Sequence, residues 1–517
     1  MRYLVVLVLL SAIAITNGEV RAQDDQTNRA AIGDSSRAQG TSPEEKIDER
    51  VRQSLQRNGR AHVMILGKTQ LLEGPDAFPA FCQEHKSSKR LELRREVVSR
   101  LREIAATEQP AILKAIGNPD RAQQYWLVNA VSAVLTAAEI KTLSQLDEVA
   151  YLYLAGQRQL PAPSGKVSEV LPDESFRPFD PQGKRIAWNL SEAGVDKVWK
   201  ELKVTGSGVT VVSFDSGVNY LHEDLRDHIW TNEGEIPNND KDDDGNGFID
   251  DLYGYNFAQM TPEVRATGDR QHGTMTTGIL VGDGTDGIAT GAAPDAQVMI
   301  IRSGSTPVLA ITAYQYMIEN GADVVNMSFS NPNLGQARGF WRRMAEHATC
   351  AGLVQGSGAG NFQQSAEIPV QMRVPEDIPC VIAAGGINRQ REVVPFSSLG
   401  PVEWGSIRFF GDHAMPEGLT KPDVCGFPGP GYPLLGTENT GYIDPNNRTR
   451  GNSFSGPLAA GTAALMLSAN PNLPAWQVKE IMEATATDIS PTGKDTRTGA
   501  GLINAFAAVK AAQGEGD

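Results

Sequence analysis

Apolar and polar positions divide the chain into stretches of different character. Leu4–Ile15 is an almost unbroken apolar run. Residues 23–60 are polar and without period, which reads as a leader or linker. From Ala61 the pattern tightens. Ala61–Gly67 reads as a strand and Lys89–Ile116 as a long, charged, amphipathic helix. Trp126–Thr136 alternates like a strand, Ala137–Leu146 has the i, i+3, i+4 spacing of a helix, and Val149–Leu154 is again strand-like. Residues 61–155 are therefore expected to form a small α+β unit. Residues 156–185 carry Pro161, Pro163, Pro172, Pro178 and Pro181 without periodicity, the mark of an exposed, extended linker. Across residues 186–512 apolar strands alternate with helices. That alternation predicts an α/β domain, a doubly wound parallel sheet with helices on both faces.

The first 22 residues read as an export signal. Arg2 precedes the apolar run, and Val20-Arg21-Ala22 is a small-x-small ending before Gln23. The run is shorter than the ~20 residues a membrane-spanning helix needs. The expectation is a secreted protein, extracellular or periplasmic, with no membrane anchor. Four cysteines, Cys82, Cys350, Cys380 and Cys425, form no C-x-x-C pair, so a zinc site is not expected. Cys350 and Cys380 each stand just before a strand-like run. They could bond if those strands are neighbours, or be buried free thiols.

The chain has 517 residues, 40% hydrophobic and 21% charged, enough apolar content for a sizeable core. This excludes a wholly disordered, collagen-like or coiled-coil chain. The formal net charge is −15 and is unevenly spread. Residues 23–170 are balanced, 20 basic against 19 acidic side chains, whereas residues 171–517 hold 25 against 42. An acidic body argues against sequence-independent nucleic-acid binding and suits solubility, or a cation.

Three short segments carry candidate chemistry. In Val209–Val218, a β-branched run ends in Asp215 and Ser216-Gly217 turns the chain. A carboxylate at the C-terminal end of a buried parallel strand lies where α/β sheets bind ligands. In Gln271–Leu280, His272 opens a small-residue helix. In Gly451–Gly461, Ser453 stands at the start of an apolar helix, facing free backbone N–H groups and the positive end of the helix dipole. Taken singly, a common tripeptide, a core-edge histidine and an N-cap serine would account for them.

Together and in this order, Asp215-Ser216-Gly217, His272-Gly273-Thr274 and Gly451-Asn452-Ser453-Phe454-Ser455-Gly456-Pro457 resemble the motifs of the subtilisin-like serine peptidases, the subtilases. The resemblance covers about residues 186–510. His222–Leu225, Gly291–Pro294, Leu419–Asp423 and Gly501–Ala505 resemble further family landmarks. It implies a secreted serine endopeptidase acting on protein or peptide substrates. Ser453 would be the nucleophile, His272 the base, and Asp215 the group that orients the imidazole. The order Asp, His, Ser is that of subtilisin. Ala359-Gly360-Asn361 resembles the oxyanion segment, with Asn361 as donor. Asp323–Ser328 resembles the substrate-binding strand, which makes Ser328, Phe329, Ser330, Ala359 and Gly360 the expected substrate contacts. Asn452 replaces the usual Thr, Leu458 the usual His, and Met275 a frequent His. Ser328-Phe329-Ser330-Asn331 replaces a family S-L-G-G, putting side chains where two glycines would flank the cleft.

Between Asp215 and His272 lies an acidic loop, Asn239–Asp251. Asp242, Asp244, Asn246, the Phe248 carbonyl and Asp250 fit positions 1, 3, 5, 7 and 9 of a calcium loop, with Gly247 at the turn. Tyr253 stands where the bidentate Glu would be. Ca²⁺ is the expected cofactor, and a solvated acidic turn is the alternative. Residues 61–155 resemble the ferredoxin-like inhibitory propeptides of secreted subtilases. They imply a zymogen whose own propeptide is a partner, an accessory binding domain being the alternative. Two other functions compete: a catalytically silent subtilase fold acting as a protein-binding module, and an esterase-type α/β-hydrolase. The second would need the order Ser, acid, His and a G-x-S-x-G elbow, and neither is present.

Overall fold

The computed structural model describes residues 42–156, 163–172, 177–268, 272–304, 306–436, 438–444, 449–489 and 491–514. The expected signal segment and the start of the leader lie outside the described residues. The rest of that leader is not featureless. Helix α1 (Glu49–Asn58) is capped by Asp48, whose side chain accepts from Arg50 N (2.8 Å), and ends at Gly59 in the left-handed region. Its apolar positions are few, Val51 buried and Leu55 partly so, and this hid its period.

The N-terminal unit continues through β1 (Arg60–Gly67), α2 (Ala77–Glu84), α3 (Arg90–Ile116), β2 (Ala122–Tyr125), β3 (Ala130–Thr136), α4 (Ala137–Ser144) and β4 (Val149–Gly156). The four strands form a sheet in the order β2-β3-β1-β4, with β1 antiparallel to both β3 and β4. The single strand expected over Trp126–Thr136 is shorter. Its first residues form the tip of the β2–β3 hairpin, and β2 carries too little apolar character to be read as a strand.

Strand β1 buries both faces. Val63 and Ile65 pack with Ile112, Val131, Leu135 and Ile140 on one side. Met64 and Leu66 face the other way, into the core of the main domain. Period-2 alternation assigns the odd and even positions to two separate cores.

The described parts of the proline-rich stretch are mostly exposed, as expected, yet pinned to the domain at a few points. Val167 is buried, with its N–H on Asn238 Oδ1 (2.9 Å), and Leu171 N donates to Tyr253 Oη (2.7 Å). The main domain opens with β5 (Arg185–Ile186), α5 (Trp188–Glu192) and α6 (Val195–Lys197). Then come β6 (Thr210–Asp215), β7 (Gly254–Asn256), α7 (His272–Val281), β8 (Ile288–Ala289, paired with β5) and β9 (Gln297–Arg302). They are followed by α8 (Pro307–Glu319), β10 (Val324–Met327), α9 (Ala337–Cys350), β11 (Val354–Gly358), β12 (Ile382–Gly386) and β13 (Val424–Gly426). Helices α10 (Ser455–Ala469), α11 (Ala475–Thr485) and α12 (Ala505–Ala512) close the fold.

Seven strands form the central sheet in the order β13-β12-β11-β10-β6-β9-β7, and every pair is parallel. Both faces are covered, so these strands are apolar on both sides, as expected of a parallel sheet. Val211, Val298 and Val354 face α7 and α10; Val212, Met299 and Val325 face α8 and α9. Strand β6 lies between β9 and β10, where the winding direction reverses, so its C-terminal end is a topological switch point. All four cysteines are free thiols, although β11 and β12, which follow Cys350 and Cys380, are neighbours. Among the described residues no helix is long and apolar enough to cross a membrane.

Candidate active site

Asp215 ends β6 at the switch point. Its carboxylate accepts from Ser216 N (2.6 Å) and Thr276 Oγ1 (3.3 Å). His272 opens α7, and its Nδ1 donates to both Asp215 oxygens at 2.8 Å. The two segments approach so closely that a Cβ on Gly273 would lie 2.1 Å from the Gly217 carbonyl oxygen, which only glycine permits. Burial acts to lower the imidazole pKa. The Asp215 charge and hydrogen bond outweigh it, and the net direction is upward. The His272 side chain is 27% exposed against 6% for Asp215, so the imidazole's outer edge stays open to an incoming group.

Ser453 lies in the 3-10 turn Asn452–Phe454 that leads into α10. Its Oγ donates to the Ser328 carbonyl (3.4 Å), and Ser328 Oγ donates back to the Ser453 carbonyl (2.9 Å). The hydroxyl is thus turned to the segment directly after β10 rather than bonded to the imidazole. The Phe454 ring lies 6.2 Å from the His272 ring, so the serine's turn and the histidine face one another. The Asp–His half of the constellation is formed, with the serine beside it.

Asn361 is exposed, and its Oδ1 accepts from Asn452 N (2.8 Å). That bond fixes the amide and leaves Nδ2 available beside the Ser453 turn. Asn452, a departure from the family pattern, has a structural part: its Nδ2 donates to the Gly360 carbonyl (2.7 Å) and to Ser397 Oγ (2.9 Å). It ties the segment of Ala359, Gly360 and Asn361 to the serine's turn. Phe329 is half-buried, its ring edge-on to Phe214 at 5.1 Å. The residues expected on three separate segments therefore converge at one end of the sheet. Thr276 was not singled out beforehand, though it follows His272 by one helical turn, a spacing that could have flagged it, and Asn452 was noted only as a departure from the family pattern.

The acidic loop departs from its expected ligand set. Carboxylate oxygens of Asp242, Asp244 and Glu235 lie within 4.8 Å of one another. Asp250 instead turns its carboxylate to its own loop, accepting from Asn239 N and Asp240 N (3.0 Å each). Asn246 Nδ2 donates to Asp244 Oδ2 (3.0 Å) and Asp251 Oδ2 (3.1 Å), and Phe248 holds the loop through its ring, packed on Tyr255, Phe257 and Tyr316. Glu235 lies outside the motif spacing, so no pattern pointed to it. Desolvation raises the Glu235 pKa, and it pushes Asp251 up to about 7. The gathered donors are all hard oxygens, the set that suits Ca²⁺.

The profile of the Subtilase family matches residues 206–501. Bacillopeptidase F of Bacillus subtilis (strain 168) is 25% identical over 90% of this chain and 32% of its own length. Subtilisin-like protease 1 of Plasmodium berghei (strain Anka) is 24% identical over 64% of this chain and 55% of its own. Subtilisin NAT of Bacillus subtilis subsp. natto is 25% identical over 75% of this chain and 82% of its own. The chain thus spans about a third of the first relative and about half of the second. The profile covers more than half of the sequence and includes Asp215, His272, Asn361 and Ser453, and the chain belongs to the subtilase family.

Proposed function

We propose that the chain is a secreted serine endopeptidase, made as a zymogen and stabilised by calcium. The observation that carries this reading is the Asp215–His272 pair at the switch point with Ser453 across from it. Ser453 Oγ leaves Ser328 O, attacks the scissile carbonyl and gives its proton to His272 Nε2; His272 returns it to the leaving amine, and water then hydrolyses the acyl-enzyme. Asp215 holds the imidazole with Nδ1 protonated and stabilises its cation. Asn361 Nδ2 and the Ser453 N–H donate to the oxyanion, and loss of one such donor costs ~2.7–4 kcal/mol of transition-state stabilisation.

The strand order of the N-terminal sheet, β4-β1-β3-β2, with α3 and α4 as crossovers, supports a ferredoxin-like propeptide. Its seat against α8 and α9 supports an inhibitory partner. Glu235, Asp242 and Asp244 would hold the calcium ion, which would neutralise three clustered carboxylates. The N-terminal apolar run supports export.

Labelling with a fluorophosphonate probe tests the reading. The mature protein is expected to be modified at Ser453 and to hydrolyse peptides, and Ser453→Ala to do neither. A correctly folded protein that resists the probe and cleaves nothing would be a silent fold that binds proteins.

A further inference from the structure

The N-terminal unit begins before β1. Residues 46–48 run along β4, an edge strand of that sheet. Asp48 N donates to the Leu152 carbonyl (3.1 Å) and Leu152 N to the Lys46 carbonyl (2.8 Å), which makes a parallel bridge at Ile47. Lys46 Nζ also donates to the Leu146 carbonyl (2.7 Å). Covering an edge strand gives its open backbone groups partners. Val51 of α1 is fully buried in the core that holds Val63, Ile65 and Leu152. Residues 43–59 are therefore built into the unit rather than strung in front of it.

This leader also reaches the main domain. The Arg50 guanidinium donates to the carbonyls of Asn333 (3.4 Å) and Leu334. Asp48 Oδ1, which caps α1, lies 3.6 Å from Arg50 Nε and steadies the guanidinium. The chain turns tightly at these two carbonyls, with Asn333 (φ 56°) and Gly335 (φ 52°) both in the left-handed region. Arg408 reaches back from the main domain. Its Nη1 donates to the Glu45 carbonyl (3.4 Å), and its guanidinium lies over the Tyr151 ring at 5.0 Å. Gln336 joins the two loops: its Oε1 accepts from Arg408 N (2.7 Å), and its Nε2 donates to the Ser406 carbonyl (3.2 Å). Residues 333–336 and 406–409 thus form one platform against the leader. The platform continues directly from the expected substrate strand. Ser328 O accepts from Ser453 Oγ, and Asn331 N, two residues before Asn333, donates to the Val374 carbonyl (2.7 Å).

We propose that residues 43–59 are part of the inhibitory unit and clamp it to the platform of residues 333–336 and 406–409, holding the loop that leaves the substrate strand until the unit departs. The inference rests on the zymogen reading and adds a second docking surface to it, with a named segment of this chain as the occupant. The two surfaces differ in chemistry. The sheet meets α8 and α9 through an apolar face, whereas the clamp is made of guanidinium-to-carbonyl bonds reaching in both directions. Bonds from a charged donor are the stronger kind. Losing one changes an equilibrium by about tenfold or more. Departure of the leader returns the Asn333 and Leu334 carbonyls to water and frees the loop beside the cleft.

The test uses the full chain and two variants, Arg50→Ala on the leader and Arg408→Ala on the platform. The first readout is the lag between cleavage of the chain and the appearance of activity on a small peptide substrate, the period in which the cut unit stays bound. Each variant is expected to shorten that lag by about tenfold or more, because lost contacts act mainly on the dissociation rate. Once active, Arg408→Ala should match the parent in kcat/KM, since it lies outside the catalytic group. The second readout is amide hydrogen exchange in the uncut Ser453→Ala chain. Adding Arg50→Ala should speed exchange at residues 331–336 by about tenfold or more and leave β1 and β3 unchanged. Lags that neither variant moves overturn the clamp, whatever the exchange shows, and leave the zymogen reading intact. If Arg50→Ala does not fold, the lag of Arg408→Ala decides alone. A parent chain that is active before any cut, or at the moment of it, removes the zymogen reading itself.

Discussion

In the proposed mechanism Ser453 passes its proton to His272, so the charge state of the imidazole decides when the step can occur. Burial lowers the His272 pKa, the Asp215 charge and hydrogen bond raise it, and the net direction is upward. On the proposed mechanism the neutral form is the base, so kcat/KM is expected to fall as pH drops through this raised value and to level off above it. In Asp215→Asn the raising partner is gone. The acid limb should move to lower pH, while the rate falls by about 10⁴-fold because the imidazole loses its orienting acceptor. A pH profile of kcat/KM for parent and variant checks both, and an acid limb that stays in place would separate Asp215 from the base. The positions of Asp215, His272, Ser453 and Asn361 were legible in the sequence because each sits in a short motif at the end of an element. The bonds from the Asn452 side chain to Gly360 and Ser397 were not, because they join positions distant in sequence that carry no spacing rule.

The same limit applies to whole elements. Long periodic segments such as α3 and the apolar strands of the central sheet were readable to within a few residues, since burial of one or both faces fixes their pattern. Helix α1 and strand β2 were missed, because their order comes from capping and pairing with neighbours rather than from an apolar stripe. In the acidic loop the motif located Asp242 and Asp244 but not Glu235, which the chain brings back from outside the motif. Without a cation these three carboxylates repel one another across a few ångströms. A bound ion would relieve this and stabilise the folded state by RT ln(1 + [L]/Kd), about 2.7 kcal/mol at a hundredfold excess over Kd. Chelator is therefore expected to lower the melting temperature of the parent. Asp242→Ala with Asp244→Ala should remove most of that sensitivity, and Glu235→Gln much of it. If the parent melts identically in chelator and in millimolar calcium, the loop is a solvated turn. If only Glu235→Gln is silent, the ion is held by the motif residues alone.

For the molecule as a whole, the decisive contact is between the N-terminal sheet and helices α8 and α9. One face of that sheet carries Met64, Leu66, Tyr125, Tyr151 and Tyr153 into the main core, so release of the unit would expose a large apolar surface. Polar groups fix the register of the contact. Arg90 Nη1 pairs with Asp323 Oδ1 at 2.7 Å, both side chains nearly buried, and also donates to the Gly352 carbonyl (3.2 Å). Arg94 donates to the carbonyls of Ala322 (2.6 Å) and Ala351 (2.9 Å). The hairpin tip gives the N–H groups of Trp126 and Leu127 to Gln315 Oε1, and His347 Nδ1 donates to the Leu127 carbonyl at 2.7 Å. A surface this apolar and this specifically bonded favours tight docking, yet a cut after β4 would make it reversible. If the chain after β4 threads through the cleft, self-cleavage between Tyr153 and Arg185 is expected, because Ser453 would then face its own peptide at high effective concentration. The Ser453→Ala protein, expressed alone, should therefore keep residues 61–155 attached, whereas the parent should lose them. The separated unit should inhibit the mature enzyme, and Arg90→Ala in that unit should weaken inhibition by about tenfold or more, since it leaves the buried Asp323 only the longer Arg94 pair (3.8 Å) as its cation. Normal processing of the serine variant would assign the cut to another protease. Active parent protein that keeps residues 61–155 covalently attached would make the unit a permanent accessory domain. Inhibition that Arg90→Ala leaves untouched would assign the docking energy to the apolar face alone.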